Sequence, residues 1–272
     1  MQYYQNFSLK NYNSFHLDSI AKEIYFPESI GELKSLLIEL KGQQFNVLSY
    51  GTNILLNGTI NKIICLRKMP QNIYFNNNVV EVDTNVSMNK FVLEIIKHNF
   101  KGTEGLIGIP GSIGAAIYGN SGSGNYCISD YLFSIITIDY NGNTNCYNKI
   151  DLKFERRYSI LQDKKEIVLS AIFEFDKLNP DKEIINNTIN FRKTLPKYPS
   201  AGGIFSEWHE LKPYSDKLIG LKVGDAEVSE KVNIIVNKGN ATYNNIISLI
   251  IKIVSIVKEP LELEVKIFGD KP

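Results

Sequence analysis

The sequence predicts a mixed α+β fold, in which short apolar strands alternate with amphipathic helices. Residues 46–49, 62–66 and 79–82 form short runs rich in valine, isoleucine and leucine, as buried strands do. Helical patterns lie between such runs. The chain has 272 residues, of which 43% are hydrophobic, enough to bury the cores of two or three lobes.

The helices are predicted from caps and from apolar faces. Ser29 and Glu32 have the spacing of a capping box, so a first helix is expected after Ser29. Its apolar face consists of Ile30, Leu33, Leu37 and Leu40. Ser87 precedes a second helix with Val92, Ile95 and Ile96 on one side. Residues 246–257 predict a buried helix, too short and too interrupted by polar residues to span a membrane.

The sheet is expected to resume at residues 134–139 and 166–173, the second of which is a long strand pattern. The polar, proline-containing stretch 178–182 follows it and is the best candidate for a boundary between lobes. The predicted division is therefore a region 1–178, with lobes of roughly 1–70 and 71–178, followed by a C-terminal domain, 179–272.

Charge and cysteine content exclude several classes of function. The formal net charge of +1 comes from 30 basic and 29 acidic residues spread along the chain. This distribution indicates no basic patch that would bind nucleic acid or a membrane surface. The three cysteines form no CxxC pair, and the three histidines show no metal-ligand spacing, so neither a disulfide framework nor a metal site is expected. The N-terminus lacks a signal-peptide pattern, which predicts a cytoplasmic protein with a small-molecule partner.

Small residues dominate residues 104–122, where chemistry is most strongly indicated. Gly111 and Gly114 permit a tight turn there, Ser112 offers a hydroxyl to a phosphate, and a helix starting nearby would point its positive end at the anion. The alternative is that these glycines only permit close packing. The segment has neither the Gly-Lys-Ser/Thr of a P-loop nor a clean Rossmann G-x-G-x-x-G.

A second loop, Ser49 to Leu55, follows a strand and contains Gly51 between polar residues. Two such loops can hold one pyrophosphate. The pair, Gly51-Thr52-Asn53 followed by the GIPGS run 108–112, resembles the flavin loops of the UDP-N-acetylenolpyruvoylglucosamine reductase (MurB) family. The resemblance extends from residues 13–15 through 154–159 and 199–202 to 261–265, nearly the whole chain.

This resemblance implies a vanillyl-alcohol-oxidase-like (PCMH-type), two-lobed FAD-binding fold with a C-terminal substrate domain. FAD is expected to be noncovalent, because neither flavin loop presents a histidine or cysteine at its glycine-rich turn. The implied cofactor-binding residues are Tyr50, Gly51, Thr52, Asn53, Ile54, Pro110, Gly111, Ser112, Gly114, Ala115, Asn120, Gly122 and Val168.

In that family NADPH reduces FAD, which then delivers hydride to the enolpyruvyl double bond of a sugar nucleotide, a step of peptidoglycan precursor synthesis. The F-x-Y-R-x-S pattern places the family's arginine at Arg157, able to hold a carboxylate in two places. The closing L-x-x-E-V motif places its glutamate at Glu264, an acid or an orienter of the proton donor. A surface salt bridge and a solvated strand residue are the respective alternatives.

The chain departs from the family at the serine that donates a proton, where Gly203 stands instead. Ser206 and a water held by Glu264 are the two possible substitutes, and restoring serine by Gly203→Ser should speed turnover if the family reaction is retained. The histidine that usually follows the lysine of G-x-A-x-V-S-x-K is also absent after Lys231. Two alternatives to this reductase therefore stay open: a flavoprotein acting on another small molecule, and a flavin-binding paralogue without turnover.

Overall fold

The computed structural model describes residues 1–269, and the strands and helices in this part of the chain alternate as predicted. The strands are β1 Gln2–Ser8, β2 Ile20–Phe26, β3 Asn46–Leu48, β4 Ile54–Leu56, β5 Thr59–Cys65, β6 Ile73–Asn76, β7 Val79–Asp83, β8 Gly122–Ser123, β9 Tyr126–Cys127, β10 Leu132–Asp139, β11 Thr144–Asn148, β12 Glu166–Glu174, β13 Lys222–Val223, β14 Ala226–Val228, β15 Ile235–Asn237 and β16 Lys266–Phe268. The helices are α1 Ile30–Glu39, α2 Met88–Lys97, α3 Ile113–Tyr118, α4 Lys182–Lys193, α5 Ser215–Leu218 and α6 Tyr243–Ile256.

The predicted helix starts are confirmed, with one difference at α1. Ser29 caps α1 by accepting a hydrogen bond from the amide of Glu32, and Ser87 caps α2 in the same way through Lys90. The carboxylate of Glu32 does not complete the predicted box. It accepts from the amide of Glu28 and from the N-terminal ammonium instead, because that cation is the stronger partner for a carboxylate.

The Cα positions separate into two compact units. The first comprises Met1–Gln2, Phe26–Ser49 and Cys65–Thr194, and the second comprises Tyr3–Tyr25, Tyr50–Ile64 and the chain from Leu195 onward. The predicted division near residue 178 stays a prediction. No helix within residues 1–269 is long and apolar enough to cross a membrane.

The first unit is built on an antiparallel sheet with the order β11-β10-β12-β7-β6. Helix α2 buries Phe91, Val92 and Ile95 against it, and the Phe91 and Phe173 rings lie 4.8 Å apart between centroids. Each such side chain contributes about 1.5–3 kcal/mol on burial. The fully buried carboxylate of Glu104 accepts hydrogen bonds from the amides of Gly102 and Asp181, which fixes the start of α4.

The second unit combines two parallel strand pairs, β2 with β5 and β4 with β16, with the antiparallel ribbon β13-β14-β15. Helix α6 confirms the buried helix predicted at 246–257, since Ile246, Leu249 and Ile253 lie in the hydrophobic core of the second unit. The buried amide of Asn237 donates to the carbonyl of Phe15 and accepts from two amides further on, which joins β15 to the N-terminal segment. The C-terminal segment therefore depends on strands contributed from early in the chain.

Candidate active site

In the first unit, the glycine-rich loop turns at Gly111 and enters α3 through Ser112. Gly111 has φ +114°, a conformation that favours glycine. Ser112 caps α3, because its Oγ accepts a hydrogen bond of 3.3 Å from the Ala115 amide. The hydroxyl of Ser49 donates to the same oxygen at 2.8 Å. The predicted helix after the loop therefore exists, with Ser112 as its cap.

Gly114 permits a close approach between α3 and the chain after β7. A Cβ at this position would lie 1.9 Å from Oγ1 of Thr84, far inside van der Waals contact. The amide of Gly114 donates to the Thr84 carbonyl at 2.9 Å, and the amide of Ile113 donates to the carbonyl of Val86. The first turn of α3 is thus joined directly to the chain that follows β7.

The loop ends at Asn120 and Gly122, beside Arg157. Asn120 is 5% exposed and donates from Nδ2 to the carbonyl of Glu155 at 2.8 Å, while its Oδ1 is buried without a hydrogen-bond partner. Arg157 donates from Nη1 to the Gly122 carbonyl at 3.1 Å. Its backbone has φ +59°, a strained value for a residue other than glycine, and Gln162 holds it by donating to the Arg157 carbonyl.

In the second unit, the loop 50–54 is held by backbone contacts to the N-terminal segment. Gly51 has φ +68°, and a Cβ there would lie 2.1 Å from the carbonyl oxygen of Tyr12. The amide of Ser14 donates to the Gly51 carbonyl at 3.0 Å. Asn53 donates from Nδ2 to the carbonyl of Glu264 at 3.1 Å, so this loop adjoins the closing segment of the chain.

Gly203 lies between Asn233 and Glu264. A Cβ at position 203 would be 2.9 Å from Nδ2 of Asn233 and 3.6 Å from Oε2 of Glu264. The Asn233 amide is fixed, because it donates to the carbonyl of Phe205 and accepts from its amide, at 2.8 and 2.9 Å. The half-buried Glu264 therefore directs its carboxylate to the place where the family has its serine.

Ser206 lies at the turn after Phe205, where its amide donates to the carbonyl of Glu262 at 3.0 Å. Its side chain is half-buried. Ser206 lies on the same segment as Gly203. Its hydrogen bond to the Glu262 carbonyl places its backbone beside Glu262, two residues before Glu264.

The predicted site residues thus form two groups, one in each unit. The group in the first unit is Pro110, Gly111, Ser112, Gly114, Ala115, Asn120, Gly122, Arg157 and Val168. Val168 is a buried residue of β12, paired in register with Thr137 of β10. The group in the second unit is Tyr50, Gly51, Thr52, Asn53, Ile54, Ser206 and Glu264.

Two residues without a predicted role also belong to these groups. Asn233 contacts the Gly203 position, although the sequence showed it only as part of a family-like stretch. Arg192 of α4 donates from Nε to the carbonyl of Ile107 at 2.9 Å, near the start of the glycine-rich segment 104–122. Its sequence surroundings, a polar helix with two basic residues in the last turn, carry no signal that would distinguish it from a solvated cation.

Comparison with known proteins agrees with the fold. Residues 196–268 match the family model for the C-terminal domain of UDP-N-acetylenolpyruvoylglucosamine reductase. The enzyme of that name from Caldanaerobacter subterraneus subsp. tengcongensis is 31% identical over 98% of this chain and 94% of its own. The enzyme from Fusobacterium nucleatum subsp. nucleatum is 32% identical, with 92% of each chain covered.

The crystal structure of UDP-N-acetylenolpyruvylglucosamine reductase (MurB) from Thermus caldophilus superposes with a TM-score of 0.82, covers 98% of both chains and is 26% identical. The fold is that of an FAD-dependent oxidoreductase, and the predicted vanillyl-alcohol-oxidase-like fold class is confirmed. The chain belongs to the UDP-N-acetylenolpyruvoylglucosamine reductase family. The resemblance predicted from its motifs is confirmed as well.

Proposed function

We propose that this protein reduces the enolpyruvyl group of a UDP-linked sugar to a lactyl group, with FAD as noncovalent cofactor and NADPH as reductant. The observation that carries this proposal is the Glu264 carboxylate, which adjoins Gly203 even though the serine of the family is missing there. Family membership at 31% identity over 98% of the chain supports the same reaction. The step would belong to peptidoglycan precursor synthesis.

The residues of both loops fit a flavin nucleotide. Gly51 and Gly111 have positive φ, which permits the tight turn that each loop needs to present backbone amides to an anion. Since the amides of Ile113, Gly114 and Ala115 donate within the protein, we assign the amides of Gly111 and Ser112 to the pyrophosphate. The buried, unpartnered Oδ1 of Asn120 is an acceptor suited to an N–H of the flavin ring.

The thiol beside the end of the glycine-rich loop, that of Cys127, is also consistent with a noncovalent cofactor. Cys127 pairs with Gly122 in the β8–β9 hairpin, and burial raises the pKa of this thiol, with the charge of Asp130 adding to the effect. A protonated thiol is a poor nucleophile, so Cys127 is not suited to attach the ring.

When bound and reduced by NADPH, the flavin would supply the hydride that adds to one carbon of the enolpyruvyl double bond. Arg157 would bind the substrate carboxylate through its planar guanidinium. It would also stabilise the negative charge that develops on the other carbon of the double bond and on the carboxylate attached to it. That carbon then takes a proton. One NADPH and one proton are consumed for each double bond reduced, which balances the reaction.

For the proton we favour a water molecule held by Glu264 over the hydroxyl of Ser206. Glu264 Oε2 adjoins the Cβ position of residue 203, so a water hydrogen-bonded to this carboxylate would occupy the place of the family's serine hydroxyl. Asn233 Nδ2 faces the same point and would orient that water. Ser206 lies beyond Phe205, in the turn that follows.

The proposal is tested by anaerobic absorbance spectra of the purified protein with FAD, then NADPH, then UDP-N-acetylglucosamine enolpyruvate. Bleaching by NADPH and recovery of oxidised flavin on adding the enolpyruvyl compound are expected. Flavin that bleaches but does not recover would indicate a flavoprotein acting on another molecule. Flavin that fails to bleach would indicate a binding module, and a protein that binds no FAD would contradict the proposal.

Replacing Gly203 by serine is expected to speed turnover and to lower stability. The new Cβ would displace the Asn233 amide from its two hydrogen bonds to Phe205, an overpacking cost of about 1–3 kcal/mol. The hydroxyl would supply a proton beside Glu264. Turnover and urea unfolding are measured on Gly203→Ser and on Gly203→Ala, the control that carries the same Cβ without a proton. Equal turnover in the two variants would contradict the expected gain.

A further inference from the structure

Arg157 is the second of two residues in a tight turn that closes between Glu155 and Tyr158. These flanking residues exchange backbone hydrogen bonds of 3.1 and 3.2 Å. A positive φ at the second position of such a turn favours glycine or asparagine, yet an arginine with φ +59° stands there. Strained backbone of this kind persists only where neighbouring groups determine its conformation. The groups that hold the turn therefore decide where the guanidinium lies.

Gln162 makes a side-chain contact that holds this conformation. Its Nε2 donates to the Arg157 carbonyl at 2.8 Å and to the Tyr118 carbonyl at 3.3 Å. The half-buried Gln162 is itself fixed, because it ends a short 3₁₀ helix and its amide donates to the Ser159 carbonyl at 3.0 Å. One side-chain amide thus joins the strained residue to the end of α3, since Tyr118 is the last residue of that helix.

The segment that leaves α3 also receives the guanidinium of Arg157. Nη1 donates to the Gly122 carbonyl at 3.1 Å, four residues after Tyr118. The backbone of Arg157 is therefore held at one end of residues 118–122, through Gln162, and its side chain at the other. A change of φ at Arg157 would turn the Cα–Cβ bond relative to this segment and move the guanidinium away from Gly122.

We propose that Gln162 is a positioning residue that holds Arg157 in the left-handed turn from which its guanidinium binds the substrate carboxylate. The role of Arg157 rests on the proposed function, whereas the hydrogen bonds that hold the turn do not depend on it. Without the Gln162 amide, the strained turn relaxes in part of the molecules. Substrate then binds only the remaining fraction tightly, so its apparent affinity falls while the rate at saturation is kept.

Ser159 provides a matched control, because it contacts the same carbonyl at the end of α3. The hydroxyl of this fully buried residue donates to the Tyr118 carbonyl at 2.8 Å. A hydroxyl has a single hydrogen to donate, so Ser159 cannot hold the Arg157 carbonyl as well. Ser159→Ala therefore loosens the end of α3 and leaves the contact of Gln162 with Arg157 in place.

Steady-state kinetics with UDP-N-acetylglucosamine enolpyruvate test the proposal on Gln162→Met, which keeps the length of the side chain without its donor. KM for this substrate should rise about 3- to 10-fold, the loss of one net hydrogen bond, and kcat should stay within about twofold. Ser159→Ala should leave KM within about twofold, even where urea unfolds it more readily. An unchanged KM in Gln162→Met, or equal increases in both variants, would overturn the proposal.

The same substitution in an Arg157→Ala background shows whether Gln162 acts through Arg157. Once the guanidinium is removed, Gln162→Met should change KM by less than about twofold, because the group that it positions is gone. A further increase as large as that in the wild type would mean that Gln162 affects the substrate by another route, which contradicts a positioning role.

Nuclear magnetic resonance observes the turn without any turnover. The chain has four arginines, at positions 67, 156, 157 and 192, so arginine-labelled protein gives few Cα signals, and that of Arg157 is assigned by its loss in Arg157→Ala. Gln162→Met should move this signal away from its left-handed value, and Ser159→Ala should not. A signal that stays in place in Gln162→Met would refute the proposal.

The spectra also separate this proposal from the proposed reaction. A displaced Arg157 signal in a protein that does not reduce the enolpyruvyl compound would support the contact between Gln162 and the turn, while contradicting the reductase function. If Gln162→Met does not fold, Gln162→Asn is measured in its place, because its amide is one methylene too short to hold both carbonyls. The same changes in KM and in the Arg157 signal are expected, and their absence counts equally against the proposal.

Discussion

Glu264→Gln is expected to lower steady-state turnover by roughly 10²- to 10⁴-fold, the contribution of a positioned acid or base to proton transfer. Glutamine has the shape of glutamate, so the contacts of residue 264 through its own amide and carbonyl should persist. It cannot polarise a water or exchange a proton. Since Gly203 offers no hydroxyl, the carboxylate of Glu264 is the titratable group at this point, and its loss should slow protonation directly.

Stopped-flow spectra separate this effect from damage to the cofactor site. Flavin content and the rate of bleaching by NADPH should match the wild type in Glu264→Gln, while reoxidation by the enolpyruvyl substrate slows. Glu262→Gln is the matched control, because Glu262 is an exposed glutamate two residues away, and it should leave both half-reactions unchanged. Ser206→Ala tests the rival donor. A large loss in Ser206→Ala with none in Glu264→Gln would assign the proton to Ser206 instead.

Much of the fold is visible in the sequence, because it depends on local patterns. The cap at Ser29 and the apolar face of α2 were predicted from spacing alone and are confirmed. The strands predicted at 166–173 and 134–139 from their β-branched runs are confirmed as β12 and β10, which pair with each other in the sheet of the first unit. Periodicity records which face is buried, so elements of this kind can be recognised without knowing their neighbours.

Long-range partners are not visible in the same way. The pairing of β4 with β16 joins Ile54 to Lys266, and nothing in either three-residue strand indicates the other. The same limit applies to the capping box predicted at α1. The Glu32 carboxylate accepts a hydrogen bond from the ammonium of Met1, a partner that the spacing of Ser29 and Glu32 does not indicate. Contacts of this type depend on where separate segments meet, which propensity and spacing do not record.

The candidate site shows the same division. The loops at 49–55 and 104–122 were identified from the sequence, and the resemblance indicated Arg157 and Glu264 as site residues. The position of Asn233 beside Gly203 and the burial of the Arg192 Nη2 atom emerged only from the structure. Each is an ordinary polar residue in its local sequence, and its significance comes from an atom brought near it by the fold.

Gly114→Ala is expected to destabilise the protein by about 3 kcal/mol, near the upper end of overpacking costs. Helix propensity alone predicts the opposite sign, because alanine is favoured over glycine by about 1 kcal/mol within a helix such as α3. The new Cβ would lie 1.9 Å from Oγ1 of Thr84, which forces α3 away from the chain after β7. Urea unfolding measures the free energy, and FAD titration should show weaker binding because Ser112 moves with α3.

The double variant Thr84→Ala/Gly114→Ala identifies the cause. Removing Oγ1 leaves Cβ of residue 84 as the nearest side-chain atom, at 3.2 Å, a tight contact that a small shift relieves. The double variant should therefore recover most of the stability lost in Gly114→Ala, which corresponds to a strongly favourable coupling energy between the two substitutions. Gly119→Ala is the control, since its Cβ would approach nothing closer than 3.7 Å, and it should change stability little. Additive losses in the double variant would mean that Gly114 is required for something other than its contact with Thr84.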